Sequence, residues 1–182
     1  AATAVLHAAG LAVFSEESGW SGGRGPTVVV VDPLDGSTNA ARGISWWATS
    51  LCAVDDAGPR VALVDDLVHG TRAVAVRGQG AQVDGDAVTA SGCSDLGRAI
   101  VGLNGLPARH LGWAQCRALG AAALDLCAVA RGRLDGFLDC DASAGCESAV
   151  VQYYPDIDGD TQGDGGATPT PGCPAWTRSA TS

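Results

Sequence analysis

A chain of 182 residues with 46% hydrophobic side chains is long enough to bury a core and has the composition of an ordinary globule. Its net charge of −9 argues against a nucleic-acid partner, and no apolar run reaches the length of a membrane span. Residues 138–182 hold Asp139, Asp141, Glu147, Asp156, Asp158, Asp160 and Asp164 against Arg178 alone, so the acidity belongs mainly to the end of the chain.

Met and Lys are both absent, and all 11 basic residues are Arg. The first absence leads us to expect a fragment or a processed product. The second points to a composition bias at the coding level.

Residues 1–10 read as the end of an Ala-rich helix stopped at Gly10. Ala12-Val13-Phe14 then leads into Ser15-Glu16-Glu17-Ser18-Gly19, a short apolar run ending in carboxylates. Thr27–Val31 is a strand, and its four valines suit a pleated surface buried on both faces. It runs into Asp32-Pro33-Leu34-Asp35-Gly36-Ser37-Thr38-Asn39. Pro33 fixes its own φ and Gly36 permits a sharp turn, so Asp32 and Asp35 can converge at the strand's C-terminal end. Ser37, Thr38 or Asn39 would cap a helix whose free N–H groups suit an anion. Hard oxygen ligands beside a phosphate cradle are what Mg²⁺-assisted phosphoryl transfer needs. A bare Asp-x-x-Asp-Gly also reads as an acidic turn. The second acidic pair, Glu16-Glu17, favours the metal: two adjacent strands ending in acids at one sheet edge can share an ion.

Further along, Ile44–Val54 passes through Trp46-Trp47 into a strand, with both indoles expected in the core. Asp55–Pro59 is a turn, and Val61–Val64 and Thr71–Val76 alternate like paired antiparallel strands. Asp65-Asp66 reads as a solvated turn. Ile100–Leu103 is a strand, Ala121–Ala130 a helix ended by Gly132, and Leu134–Leu138 a last strand. His7, His69 and His110 are too dispersed to form a ligand set. Asp125, in the late helix, lines a pocket or is a helix-surface acid. Cys52 and Cys127 lie in apolar runs as buried thiols, whereas Cys140, Cys146 and Cys173 cluster late and would pair in an oxidising compartment.

Strands interspersed with a few helices make a layered α/β or α+β arrangement. Residues 1–145 are expected to form the domain. Residues 146–182 read as an acidic Gly/Pro/Thr-rich tail, loop or disordered. Within it, Asp156, Asp158, Asp160 and Asp164 have the spacing of Asp-rich calcium repeats and form a candidate Ca²⁺ site. It is not an EF-hand, since Thr161 and Ala167 stand where that loop requires Gly and Glu.

The Ser15-Glu16-Glu17-Ser18 segment, a strand, and then Asp32 through Asn39 together resemble the inositol monophosphatase family, Mg²⁺-dependent and lithium-sensitive sugar-phosphate phosphatases. The similarity continues at Arg77-Gly78-Gln79-Gly80-Ala81 with Val83-Asp84-Gly85, and from Arg117 through Phe137. It spans about residues 4–140. The resemblance implies an α-β-α-β-α sandwich, incomplete here, and two or three Mg²⁺ ions held by Glu17, Asp32, Asp35 and the Leu34 carbonyl. It implies that Gly36 and Ser37 offer backbone N–H groups to a phosphate. The Ser37 hydroxyl, with Glu17, would position or deprotonate the attacking water, and Ala122 would contact the sugar. The substrate would be inositol phosphate or a related small sugar phosphate. The expected partner is that small-molecule monoester, with no nucleic acid and no membrane, and a homodimer as an option. A cytoplasmic setting follows, although the late cysteines and Asp-rich tail would fit an extracellular one.

Two departures bear on activity. The family has further helices before residue 1, and a Trp-Asp pair after the Leu134–Phe137 strand that completes the metal cage. This sequence has Asp139-Cys140-Asp141 through Glu147 instead, with Asp141 or Glu147 as substitutes in principle. Three readings follow: a Mg²⁺-dependent phosphomonoesterase, a catalytically incomplete fragment of the same fold, or a Ca²⁺-binding tail as the only functional site.

Overall fold

A computed structural model of the protein describes residues 2–23 and 25–140, together with the backbone of 150–151. The chain divides into two compact units, Ala1–Ala87 and Val88–Ser182. The candidate calcium residues Asp156, Asp158, Asp160 and Asp164, and the substitute ligands Asp141 and Glu147, lie outside the described residues.

The first unit opens with α1 (Ala2–Ala8), β1 (Ala12–Ser15), β2 (Gly19–Ser21), β3 (Val28–Asp35) and α2 (Ser37–Arg42). It continues with β4 (Ala48–Asp55), β5 (Gly58–Asp66), β6 (Arg72–Val76), β7 (Gly80–Val83) and β8 (Asp86–Ala87). These strands form one sheet in the order β2-β1-β3-β4-β5-β6-β7-β8. Only β1 and β3 are parallel; every other neighbour is antiparallel.

Alternation decides which side of this sheet is core. Val13, Val29 and Val31 are buried and pack with Leu6, Leu11, Leu51 and Ala53. Burying a valine in this way stabilises the fold by roughly 1.5–3 kcal/mol. Val30 and its neighbour Phe14, across the β1–β3 ladder, point the other way and are about half exposed. The four-valine run is therefore buried on one face, not on both as its composition suggests. Composition cannot report whether a second layer arrives.

The hairpins follow their turn residues. Asp84 and Gly85 both have positive φ, 52° and 92°, which is the backbone a two-residue turn needs to match the twist of flanking strands. The turn read at Asp55–Pro59 narrows to Asp56-Ala57, and Pro59 enters β5 opposite Val54 beside an irregularity in the ladder. Asp65 and Asp66 are not a solvated turn but the end of β5. Asp65 makes a two-pronged ion pair with Arg72, and the Asp66 side chain is only 11% exposed.

The second unit contains a short 3₁₀ turn at Leu96–Arg98, then β9 (Ile100–Asn104), β10 (Gln115–Arg117), α3 (Ala122–Ala130), β11 (Gly136–Asp139) and β12 (Val150–Val151). Its sheet has the order β10-β9-β11-β12, with β10, β9 and β11 parallel and β12 antiparallel to β11. One cluster gathers Ala99, Val101, Leu103, Trp113 and Leu138; another sets Ala128 and Val129 of α3 against Leu134 and Phe137. Gly102 permits the second contact, because a Cβ there would lie 3.1 Å from both the Leu134 and Phe137 side chains. Asp125 is 1% exposed, so it is not the helix-surface acid that was one expectation. Cys52 and Cys127 are half-buried rather than fully buried. Cys140 is disulfide-bonded.

Candidate active site

The parallel pairing of β1 with β3 sets the site's location. Ala12 lies opposite Val28 and Ser15 opposite Val31, so β1 ends where β3 still runs on in the same direction toward Asp32 and Asp35. β1 turns back through Glu16–Ser18 into β2, and the Glu16 N–H donates to the Val31 carbonyl at 3.1 Å. Glu16 and Glu17 are thereby held beside the start of the Asp32–Asp35 segment.

That segment is part of the strand and not a turn beyond it. β3 runs on to Asp35, with Asp32 opposite Ser50 and Asp35 opposite Ala48. Pro33 and Leu34 lie between the two acids on β3, whereas Thr49 alone lies between their partners on β4. Two residues against one is a bulge. Its consequence is geometric. Residues three apart on a regular strand face opposite sides, but Ser50 and Ala48 are two apart and share a side, so the acids paired with them share it too. Two hydrogen bonds fix the bulge: the Leu34 N–H donates to Asp32 Oδ1 at 3.0 Å, and the Thr49 hydroxyl donates to the Pro33 carbonyl at 2.9 Å.

The electrostatics record the crowding. The Asp32 charge, above all, pushes the Glu16 carboxyl above its usual 4.5. Loss of water contact, a hydrogen bond with Asp32, and the Glu17 and Asp35 charges act in the same direction. Glu16 was not among the expected ligands, and its coupling to Asp32 depends on strand pairing that the sequence does not display.

Gly36 then turns the chain into α2. It is in the left-handed region at φ 80°, and no side chain caps the helix, so Ser37, Thr38 and Asn39 lie inside α2 and do not cap it as expected. Gly36, at the N-cap position, has no side chain to offer the first-turn N–H groups. Ser37 and Thr38 are exposed, while Asn39 is buried and donates to the Trp46 carbonyl at 2.8 Å. The indoles are partly buried rather than central to the core. Trp46 meets the His69 ring edge-on, at 6.3 Å between centroids.

The histidines are structural or at the surface, as expected. His7 bonds to Ser21, His69 to Asp66, and the His110 ring packs on Trp113. Ala122, the expected sugar contact, is the first residue of α3 in the second unit, and that expectation rests on the resemblance alone.

The fit to a divalent cation is one of chemistry. Glu16, Glu17, Asp32 and Asp35 are hard oxygen donors whose mutual repulsion a cation would relieve. Their spacing is open: among the described residues, no three acids, histidines or cysteines converge closely enough to hold a metal ion.

Residues 3–146 match the model of the inositol monophosphatase family. Nus factor SuhB of Escherichia coli K12 is 35% identical over 143 residues, covering 70% of this chain and 53% of that protein. The structure of inositol monophosphatase from Anabaena is similar with a TM-score of 0.69 at 25% identity, covering 76% of this chain and 62% of that one. The structure of an inositol monophosphatase–fructose 1,6-bisphosphatase has a TM-score of 0.70 at 25% identity, covering 76% and 56%. The chain spans about half the length of the curated relatives it matches.

Proposed function

Because this chain belongs to the inositol monophosphatase family, we propose that it is a Mg²⁺-dependent phosphomonoesterase acting on inositol phosphate or a related small sugar phosphate. The observation that carries the proposal is the bulge, which brings Asp32 and Asp35 to one side of the sheet beside the Glu16-Glu17 turn. Glu17, Asp32, Asp35 and the Leu34 carbonyl would hold Mg²⁺, and Glu16 is near enough to Asp32 to join them. When bound, Mg²⁺ supplies charge neutralisation for the phosphoryl group and for the oxygen that departs.

The protein's own groups would do the rest. The Gly36 and Ser37 N–H groups, at the glycine-led entry to α2, would bind phosphate oxygens. Glu17 would take a proton from water through the exposed Ser37 hydroxyl, which both orients that water and relays the proton. A phosphate monoester needs positioning and charge balance more than a covalent intermediate, so no nucleophilic side chain is called for.

The name Nus factor belongs to those relatives. For this chain, the net charge of −9 remains the argument against a nucleic-acid partner. Among the described residues no helix is long and apolar enough to cross a membrane. A cytoplasmic setting and a homodimer remain parts of this proposal.

A second reading is that the chain as given keeps the family fold with little or no turnover. The open spacing of the acids and the share of the relatives' length that the chain spans support it. One assay separates the two. Phosphate release from inositol 1-phosphate and a panel of sugar phosphates is measured with excess Mg²⁺. Turnover near 1 s⁻¹ or above, lost in Asp32→Asn, establishes the enzyme. Silence across the panel establishes the incomplete chain.

A further inference from the structure

We propose that Thr49 is a positioning residue for the acidic pair, its hydroxyl holding the bulge that turns Asp32 and Asp35 to one side of the sheet. The inference rests on the reading of that pair as cation ligands.

A bulge leaves backbone groups without ladder partners, and these must be satisfied in some other way. Pro33 has no N–H to offer, so its only polar group is the carbonyl. That carbonyl accepts from Thr49 Oγ1 at 2.9 Å in a partly buried position. The next N–H, that of Leu34, is taken by Asp32 Oδ1. One support therefore comes from an acid of the pair, and the other from the single β4 residue opposite the bulge. Thr suits this place. Its β-branched side chain is stiff about χ1 and comfortable in a strand, so the hydroxyl is aimed without further ordering.

Removing the hydroxyl while keeping the shape leaves a partly buried carbonyl without its donor, an outcome that costs more than the bond itself is worth. The strand can recover a regular ladder only by slipping one residue, and that slip sends Asp35 to the opposite side. Thr49 touches neither cation nor phosphate; its influence passes through the backbone of Pro33 and Leu34.

The test compares the full chain as wild type, Thr49→Val and Thr49→Ser by calorimetric titration with Mg²⁺ alone, and by hydrogen exchange at the Leu34 and Asp35 amides. Thr49→Val is expected to bind Mg²⁺ roughly tenfold more weakly and to exchange faster at those two amides, with β9 and α3 unchanged as internal references. Thr49→Ser, which restores the hydroxyl, should recover wild-type behaviour in both. Wild-type exchange at Leu34 and Asp35 in the Val variant would overturn the proposal. A wild-type chain that binds no Mg²⁺ would remove the functional reading, while the exchange comparison would still decide the part played by Thr49.

Discussion

Asp35 and Asp66 both lie directly across from Ala48, one on each flank of β4, yet the sheet treats them in opposite ways. Asp66 is enclosed: it accepts from the backbone N–H groups of Val68 and His69 and meets the His69 ring at 2.8 Å. Its neighbour Asp65 is matched by Arg72, and Asp55 by Arg77. Asp35 belongs instead to a gathering of four carboxylates in which the dominant influence on Glu16 is another acid. The two sets differ in partner and not in residue type. Acids matched by a cation or an N–H hold strands and turns together, as Asp32 also does through the Leu34 N–H; acids placed against one another, Glu16 above all, raise the energy of the metal-free fold and are suited to a cation from outside.

The largest expected difference between the sets is catalytic. Asp32→Asn keeps an oxygen for the Leu34 N–H and removes only the charge. Mg²⁺-dependent phosphate release should fall by roughly a hundredfold or more, with the unfolding midpoint unchanged or higher. A drop in that midpoint would move Asp32 into the structural set.

Next comes the reverse case. Asp66→Ala strips three contacts from the Leu67–Gly70 turn and should cost about 1–3 kcal/mol in denaturant unfolding, without altering Mg²⁺ affinity by calorimetry. Weakened Mg²⁺ binding with intact stability would erase the distinction drawn here.

A smaller effect separates the sets by the sign of their pH dependence. Burial alone would push Asp66 upward, but the His69 and Val68 hydrogen bonds outweigh it and hold the carboxyl below its usual 3.8. Its stabilisation is present above that value and is lost as pH falls through the folded-state pKa. Glu16 is raised, so its contribution is present below 4.5 and is lost as pH rises through the folded-state pKa. Thermal midpoints in metal-free buffer should accordingly rise for Glu16→Gln, relative to wild type, above the carboxylate range. The gain should be modest, because Glu16 is exposed, and Mg²⁺ should shrink it. A gain that ignores Mg²⁺ would argue against a shared cation site.

The smallest change is expected from Arg77→Ala. Its partner Asp55 sits at the surface, where such pairs contribute little. The variant should lower the midpoint far less than Asp66→Ala does and keep wild-type Mg²⁺ binding.

Much of this was legible in the sequence, and the reasons are local. The helix stopping at Gly10, the strands at Thr27–Val31, Val61–Val64, Thr71–Val76 and Ile100–Leu103, and the helix over Ala121–Ala130 are each announced by their own residues. The acids at Glu17, Asp32 and Asp35 draw attention in the sequence because they sit where apolar runs stop. What escaped depends on partners distant in sequence. Asp65 and Asp66 look like a hydrated turn until Arg72 and His69 are brought to them. β2 and β10 are three residues each, too short to carry a period. The bulge escaped for a further reason: Pro33 and Gly36 announce a turn, and only the pairing with β4 shows that the strand passes through it.

The Asp32–Asp35 segment is for that reason constrained in length more tightly than in identity. Replacing Leu34 by another side chain leaves the count of residues between the acids, and so their common side, as it was. Deleting Leu34 would preserve every charge and leave Asp35 opposite Ala48 in a regular ladder, with the acids still on one side, yet it would remove the N–H that Asp32 accepts and the carbonyl proposed to hold Mg²⁺. Among related sequences, variation in this segment should therefore take the form of exchange and not of gaps.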